Sequence, residues 1–488
     1  MALPIDVVIM AAGKGTRMKS TLPKVLHRLG GRALLGHVMD CAAGVSARKV
    51  VVISGHGAME VEAACAVMAG AGAGSDGQFS LEFARQEPQL GTGHAVQQAL
   101  PLLADDGITL VLSGDVPLTQ SATLLALLEQ CGGQRLALLT LAMADPTGYG
   151  RIERTQAHGS EPLRAVQAAS AQVRAIVEHK DASDAQKKIK EIYSGIMAVP
   201  TRLLRGWLAR LDNKNAQNEF YLTDIVKFAV ADGIAVVAHQ ITDAAQVAGV
   251  NSPVQLAELE RVYQLRRAVA LMEQGVRLSD PARFDVRGKL HCGQDVEIDV
   301  NCVFEGEVTL SNAVRVGAHC VIANCTIGAG AVIQPFTHID GEKLGVQVGE
   351  GALIGPFARL RPGARLGAEV HIGNFVEVKN STLAKGAKAN HLAYLGDATV
   401  GERVNYGAGS ITANYDGANK HRTVIEDDVH IGSNCVLVAP LTIGAGGTVG
   451  GGSTITKSTP PGALSVARGK QISLPNWKRP QKIKPPAL

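Results

Sequence analysis

The sequence predicts an α/β domain over residues 1–252, a connecting helix over 253–275 and a parallel β-helix with a C-terminal tail over 276–488. Three observations carry that division. Strand-like and helix-like runs alternate through the first half, the pattern of a mostly parallel sheet with helices packed on it. From Val348 to Val378 an aliphatic residue recurs every six positions, a period that fits neither a helix nor one long strand. Between the two lies Ser252-Pro253-Val254-Gln255, a helix start with Ser as cap, Pro in the first turn and Gln placed to bond back.

Asp6-Val7-Val8-Ile9-Met10 reads as a buried parallel strand, followed by Val50–Ser54, Leu81–Arg85, Ile108–Ser113 and Leu136–Leu141. Helical stretches fall between them, such as Leu34–Ala43 and His94–Leu103. In such sheets ligands bind beyond the carboxyl ends of the strands. There the chain reads Ala11-Ala12-Gly13-Lys14-Gly15-Thr16-Arg17-Met18, which is neither a Walker A loop nor Gly-x-Gly-x-x-Gly. Two glycines let backbone N–H groups approach phosphate oxygens. Arg17 can neutralise departing pyrophosphate, and Lys24, in Leu22-Pro23-Lys24, can sit on a second phosphate. Asp115 follows a strand in Ser113-Gly114-Asp115-Val116-Pro117, where a carboxylate can hold Mg²⁺ on a triphosphate. The structural alternatives are a glycine turn with surface cations and an Asx-turn aspartate. The whole string from Ala11 to Met18, with Leu-Pro-Lys after it, is similar to the signature of sugar-phosphate nucleotidyltransferases.

Leu256, Leu259, Val262, Tyr263 and Val269 follow the helix start at three- and four-residue steps, and Gly275 can end the helix. About 20 helical residues would span roughly 30 Å and hold the domains apart.

In the second half Val348, Ile354, Leu360, Leu366, Ile372 and Val378 keep the six-residue beat, with Gly after four of them. Ile298, Phe304, Leu310, Val316 and Ile322 keep it upstream. Ile327, Ile333 and Ile339 resume it after a slip of one, and Ile431, Leu437, Ile443, Val449 and Ile455 keep it downstream. A unit of short strand plus turn cannot bury its apolar face alone, so stacked units must share a core. The beat loosens around Val400-Gly401 and Tyr406-Gly407, and Asn414-Tyr415-Asp416-Gly417 reads as a loop thrown out of the coil. These hexads resemble the hexapeptide acyltransferases, which implies a left-handed β-helix.

Composition narrows the partners. A net charge of +4 is too weak for a nucleic-acid surface, though a local patch can still hold small anions. Eight scattered cysteines without Cys-x-x-Cys, Cys320 and Cys325 nearest each other, read as buried thiols in a reducing compartment. The start lacks a basic region and a cleavage site, and Val7–Ala12 is too short to span a membrane. A soluble cytoplasmic protein is expected.

Further motifs stand in one order: Gln86, Gly91-Thr92, Gly148-Tyr149-Gly150-Arg151, Val177-Glu178-His179-Lys180, Glu219-Phe220-Tyr221-Leu222-Thr223-Asp224, and Asn390-His391-Leu392-Ala393-Tyr394-Leu395-Gly396-Asp397. Over nearly its whole length the chain resembles the bacterial bifunctional N-acetylglucosamine-1-phosphate uridyltransferase / glucosamine-1-phosphate N-acetyltransferase family. The resemblance implies acetylation of glucosamine-1-phosphate by acetyl-CoA, then UMP transfer from UTP with Mg²⁺, giving UDP-N-acetylglucosamine for cell-wall and lipopolysaccharide synthesis. It assigns UDP-N-acetylglucosamine to Met10, Ala11, Ala12, Gly13, Lys24, Gln86, Gly91, Thr92, Ser113, Gly114, Asp115, Gly150, Glu178 and Asn251. Gln86 and the Gly91-Thr92 backbone would read uracil, Gly150 and Glu178 the sugar, and Asn251 would join Asp115 as a magnesium ligand. Arg17 and Lys24 would act catalytically on the phosphates.

At the second site His391 would be the base that takes a proton from the sugar amine. Arg361, Lys379, Tyr394 and Asn405 would bind glucosamine-1-phosphate. Ala408, Ser433, Gly451 and Arg468 would bind acetyl-CoA, and Asn414 and Tyr415, counted with them, would complete the sugar pocket. Gly451 stands where the family often has Ala. Tyr193-Ser194-Gly195 stands where it usually has Asn-Thr-Gly, whose asparagine donates to the sugar. The resemblance also implies a homotrimer with sites between subunits. Two other readings compete: a nucleotidyltransferase whose β-helix is only an oligomerisation scaffold, and a zinc hydratase using His371, His391 and His430. The basic, Pro-rich tail from Trp477 to Leu488 is expected to lie outside the coils and to be partly disordered, where a lateral partner could order it.

Overall fold

The apolar runs of the first half alternate between two cores. Val7, Ile9, Val50 and Val52 face one, and Val8, Val51 and Ile53 face the other. A sheet covered on both sides needs such near-continuous hydrophobic strands. The computed structural model describes residues 3–71, 79–155 and 172–480, in two units, Met1–Arg266 and Arg267–Leu488.

In the first unit, among the described residues, a nine-stranded sheet runs Val236–Ile241, Leu136–Ala142, Glu191–Pro200, Ile108–Ser113, Ile5–Met10, Lys49–Ser54, Ser80–Arg85 along its main path. Ile5–Met10 pairs in parallel with both Lys49–Ser54 and Ile108–Ser113. The chain therefore turns opposite ways on its two sides, which opens a crevice at their carboxyl ends. Glu191–Pro200 is antiparallel to both neighbours. It was not legible as a strand, because Tyr193-Ser194-Gly195 and Pro200 interrupt its apolar run. The helix expected over His94–Leu103 is instead Thr92–Ala99 followed by a 3₁₀ turn at Leu100–Leu102. Pro101 lacks the N–H needed to continue the α-helix.

The helix Pro253–Glu273 begins as its sequence suggests, with Gln255 N donating to Ser252 Oγ at 3.3 Å. The Gln255 side chain bonds back one residue early, accepting from Asn251 N at 2.8 Å. Gly275, at φ 96°, follows the helix end. Leu259 and Tyr263 pack with Met18, Leu29, Leu34 and Leu118. Val269, expected on the buried stripe, is exposed, and Ala268 and Leu271 enter the core of the second unit instead.

In the second unit the strands stack in parallel. Phe284 pairs with Cys302 and Arg359 with Glu377, one coil later. Arg287 bonds to Glu305 across one such step of 18 residues, so three hexads close one coil. All the hexad aliphatics named above are buried in a single core. A second buried slot, two residues earlier, takes small side chains such as Ala352, Ala358, Ala364 and Val370. Cys302, Cys320 and Cys435 occupy it, and Cys325 is buried in the same core. The stretch expected to be loose is regular: Leu383, Ala389, Leu395, Val400 and Tyr406 fill the core slot. Coils of 17 residues, as between Asn374 and His391, hid the beat. The loop expected at Asn414–Gly417 does leave the coil, and Tyr415 bridges antiparallel to Lys420 within it.

One corner of successive coils turns through a left-handed residue: His319, Phe336, Phe357, Phe375 and Leu392, at φ between 47° and 61°. The rings of the first four stack at centroid distances of 4.9, 5.1 and 5.3 Å, and the three phenylalanines and Leu392 are exposed. Trp477 is exposed, and tail residues 481–488 lie outside the described residues.

Candidate active sites

In the first unit the phosphate loop leaves the carboxyl end of Ile5–Met10. Ala11 and Ala12 are buried, while Gly13, Lys14 and Arg17 face solvent. Gly15 adopts φ 60°, and a side chain there would stand 2.7 Å from Lys24 Cβ, so only glycine lets loop and lysine close up. Gly114 N donates to Met10 O at 2.9 Å, joining Met10–Gly13 to Ser113–Asp115 at one edge.

Lys24, Asp115 and Asn251 meet there. Lys24 Nζ lies 2.5 Å from Asp115 Oδ2 and 3.2 Å from Asn251 Oδ1. Val250 N donates to Asp115 O at 2.9 Å, which fixes the loop carrying Asn251. Asp115 and Asn251 thus both offer an oxygen to the Lys24 ammonium, and hard oxygen donors of this kind are the ones Mg²⁺ takes. Among the described residues there is no group of three His, Cys, Asp or Glu that could hold a metal.

Gln86 is buried at the end of Ser80–Arg85, its amide donating to Gly91 O at 2.9 Å. Thr92 Oγ1 accepts from Leu222 N at 3.1 Å, and Gly93 N donates to Phe220 O at 2.7 Å. Gln86, Gly91 and Thr92 therefore form one lip, braced by the Glu219–Asp224 segment. Gln89, which sequence reasoning passed over, donates to Ala12 O and ties that lip to the phosphate loop.

Gly150 and Glu178 sit together. A side chain on Gly150 would meet Ile176 at 2.8 Å and Glu178 Oε1 at 3.6 Å. Thr223 Oγ1 donates to Glu178 Oε1 at 2.9 Å. Burial raises the Glu178 pKa above the usual carboxylate range; Thr223 opposes the shift and the charges of Asp224, Asp181 and Glu219 add to it.

In the second unit His391 is exposed at the coil corner, beside Leu392. Its Nδ1 lies 2.9 Å from Asn374 Oδ1. An amide oxygen can only accept, so Nδ1–H donates, and in the neutral ring that tautomer leaves the lone pair on Nε2. Asn374 was missed, because its position one coil earlier shows only in the register. The same corner continues through the expected acetyl-CoA residues: Gly409 N donates to His391 O, Asn434 N to Ala408 O and Gly452 N to Ser433 O. Arg468 closes the column, donating to Gly451 O at 2.8 Å. A methyl group on Gly451 would meet Ser433 O at an ordinary 3.4 Å, so alanine would fit there.

Arg361, Lys379 and Asn414 gather at the other edge of the strand face that carries Tyr394. Arg361 pairs with Glu377 at 2.8 Å. The Lys420 ammonium beside Lys379 holds it below the usual lysine range; burial and Arg361 act the same way, against Asp397. Asn380 and Asn414 each donate to one oxygen of the buried Asp397, at 2.5 Å. The Asn414 amide thus serves the protein internally, and Tyr415 is exposed with its hydroxyl on Gly417 O. The hydroxyl end of the Tyr394 ring crowds Gly396: a side chain there would stand 2.6 Å from Tyr394 Cζ. That explains the glycine between Tyr394 and Asp397. Asn405 sits on the adjoining face, paired in register with Lys388 and His430. His371 precedes Lys388 in the same row, so within one chain two residues intervene between His371 and His430. Burial, then the charges of Lys388 and His391, hold His371 below the usual histidine range.

The profile of the MobA-like NTP transferase domain matches residues 7–191, and that of the bacterial transferase hexapeptide (six repeats) matches 345–380 and 422–457. With the parallel coils, the second match makes the C-terminal unit a left-handed β-helix. The chain is 83% identical to the bifunctional protein GlmU of Polaromonas sp. strain JS666, over 99% of each chain. It is 72% identical to that of Albidiferax ferrireducens over 98% of this chain and 100% of the relative. It is 52% identical to that of Herminiimonas arsenicoxydans over 98% and 100%. A chain that matches an NTP transferase profile and a hexapeptide profile thus aligns along its length with relatives named bifunctional protein GlmU, and the chain belongs to the bifunctional GlmU family.

Proposed function

We propose that the second unit acetylates glucosamine-1-phosphate with acetyl-CoA and that the first transfers UMP from UTP to the product, releasing UDP-N-acetylglucosamine and pyrophosphate. The observation that carries this reading is the convergence of Lys24, Asp115 and Asn251, three residues far apart in sequence, beyond the carboxyl ends of parallel strands. In uridylyl transfer a phosphate oxygen of the sugar phosphate attacks the α-phosphorus of UTP, and the bond to the β-phosphate bridging oxygen breaks. Lys24 and Arg17 neutralise charge on the phosphates as pyrophosphate leaves. Asp115 and Asn251 would hold Mg²⁺. Bound there, the ion supplies further charge neutralisation on the phosphates. Gln86, Gly91 and Thr92 hold the base, and Gly150 and Glu178 the sugar.

In acetyl transfer the substrate amine attacks the thioester carbonyl carbon. His391 Nε2 accepts the amine proton, the C–S bond breaks and the CoA thiolate leaves. Asn374 keeps the imidazole in the tautomer this requires. Arg361 and Lys379 hold the sugar phosphate. A pure scaffold needs none of these side chains, which disfavours the oligomerisation-only reading. Assembly as a homotrimer is supported by the exposed aromatic corner, an apolar strip that ends beside His391. A cytoplasmic setting is supported by eight free thiols. Among the described residues no helix is long and apolar enough to cross a membrane.

The test is an assay of the purified protein with glucosamine-1-phosphate, acetyl-CoA, UTP and Mg²⁺. UDP-N-acetylglucosamine should appear only when all four are present. Omitting acetyl-CoA or UTP without loss of product would overturn the reading.

A further inference from the structure

Asp397 is a buried carboxylate in the second unit that the mechanism above does not use. It is 8% exposed, and amides rather than cations serve its two oxygens. Asn380 Nδ2 donates to Oδ1 and Asn414 Nδ2 to Oδ2, each at 2.5 Å. The two asparagines come from the coils on either side, each 17 positions away. Asn380 and Asp397 turn successive coils in left-handed backbone, at φ 44° and 51°, which short polar side chains tolerate. A carboxylate can accept from both neighbours at once, whereas an amide has a single accepting oxygen, so both links together need an acid at this position.

The two amides belong to segments that each carry a lysine. Asn380 directly follows Lys379, and Asp397 N donates to Lys379 O at 3.1 Å. Asn414 opens the loop that carries Lys420, and Asp397 holds that loop at both ends. Its carboxylate takes the Asn414 amide, and its carbonyl accepts from Thr423 N at 3.2 Å. His421 N closes the loop on Asn414 O at 2.8 Å. One residue thus ties the segment bearing Lys379 to the loop bearing Lys420. The two ammonium groups lie side by side, and Arg361 acts on Lys379 with the same sign. Like charges at that range repel, which pushes the loop outward unless its root is held.

We propose that Asp397 is a positioning residue of acetyl transfer: by bridging Asn380 and Asn414 it holds the Lys420 loop against Lys379, so that a substrate phosphate finds the two ammonium groups already together. This rests on the reading of Arg361 and Lys379 as the groups that hold the sugar phosphate. Asp397 touches neither substrate in this role. It acts by removing the cost of ordering the loop when the phosphate binds.

The experiment compares two variants of the full chain in the acetyl-transfer assay. Asp397→Asn keeps the shape but sets one amide against another, so one of the two links is lost. KM for glucosamine-1-phosphate should rise about tenfold, with kcat and KM for acetyl-CoA within about twofold and uridylyl transfer unchanged. Combining Asp397→Asn with Asn380→Asp exchanges the pair and gives both links a donor and an acceptor again. That exchange should bring KM back to within about twofold of wild type. It also decides the matter if the single variant fails to fold, since a folded exchange variant with KM still raised overturns the proposal. A folded Asp397→Asn with KM unchanged, or with its loss in kcat alone, overturns it as well. Wild-type enzyme without acetyl transfer would overturn the functional reading of the whole site, whereas an active wild type with an indifferent variant overturns only the role of Asp397.

Discussion

The ammonium of Lys24 lies 2.5 Å from the carboxylate of Asp115, although 91 positions separate the two residues. Both side chains are largely buried, and Asn251 accepts from the same ammonium. Removing the carboxylate therefore takes away a candidate metal ligand and leaves a half-paired lysine. Asp115→Ala should lower kcat for uridylyl transfer by about 10²–10³-fold, the scale of losing a preorganised charge stabiliser. Acetyl transfer by the same preparation should be unchanged. Uridylylation near the wild-type rate would remove Asp115 from the chemistry.

His391 and Asn374 form a second pair. His391→Ala should slow acetyl transfer by about 10²–10⁴-fold, mostly in kcat, and leave uridylyl transfer from supplied N-acetylglucosamine-1-phosphate intact. Asn374→Ala should slow it less, by roughly five- to tenfold, the worth of one neutral hydrogen bond. Stopped assays of both half-reactions on each variant decide the matter. If Asn374→Ala fell as far as His391→Ala, Asn374 would be doing more than holding the tautomer.

The hexad core is separate from both cores of the first unit. Leu360→Ala removes a fully buried side chain from it and should destabilise the coil by about 2–5 kcal/mol. Calorimetry should show a lowered transition for the second unit, with acetyl transfer lost at a lower temperature and uridylyl transfer keeping its own midpoint. A coordinated loss of both activities would mean that the units unfold as one.

Burial raises the Glu178 pKa, so the folded protein binds its proton more tightly than the unfolded chain does. Stability from this group is full at low pH. It declines as pH rises from the ordinary glutamate value of about 4.3 through the raised value, then levels off. Glu178→Gln should remove that decline. The difference in melting temperature between wild type and variant should shift against wild type across this window and stay constant above it. A shift in the opposite direction would show that Thr223 outweighs burial.

Much of this protein is local in origin. The six-residue beat from Ile298 to Ile455 determines a coil by itself, because each aliphatic must point inward and the next turn supplies its cover. The strand Ile5–Met10 with its glycine loop is local in the same sense, as is Ser252 at the start of its helix. Their signals lie within a few residues of one another, where propensity and period act. Tertiary structure decided whatever depends on who lies across. The antiparallel Glu191–Pro200 was hidden because its neighbours, not its own pattern, make it a strand. The 17-residue coils around His391 became regular only when Tyr406 and Ala389 proved able to fill aliphatic slots. Asn374 acquired its role through register, Asn414 was drawn inward by Asp397, and the Tyr193 hydroxyl was left without a partner by the sheet around it. Hydrogen bonds act over about 3 Å, and residues tens of positions apart in sequence come that close only through the fold.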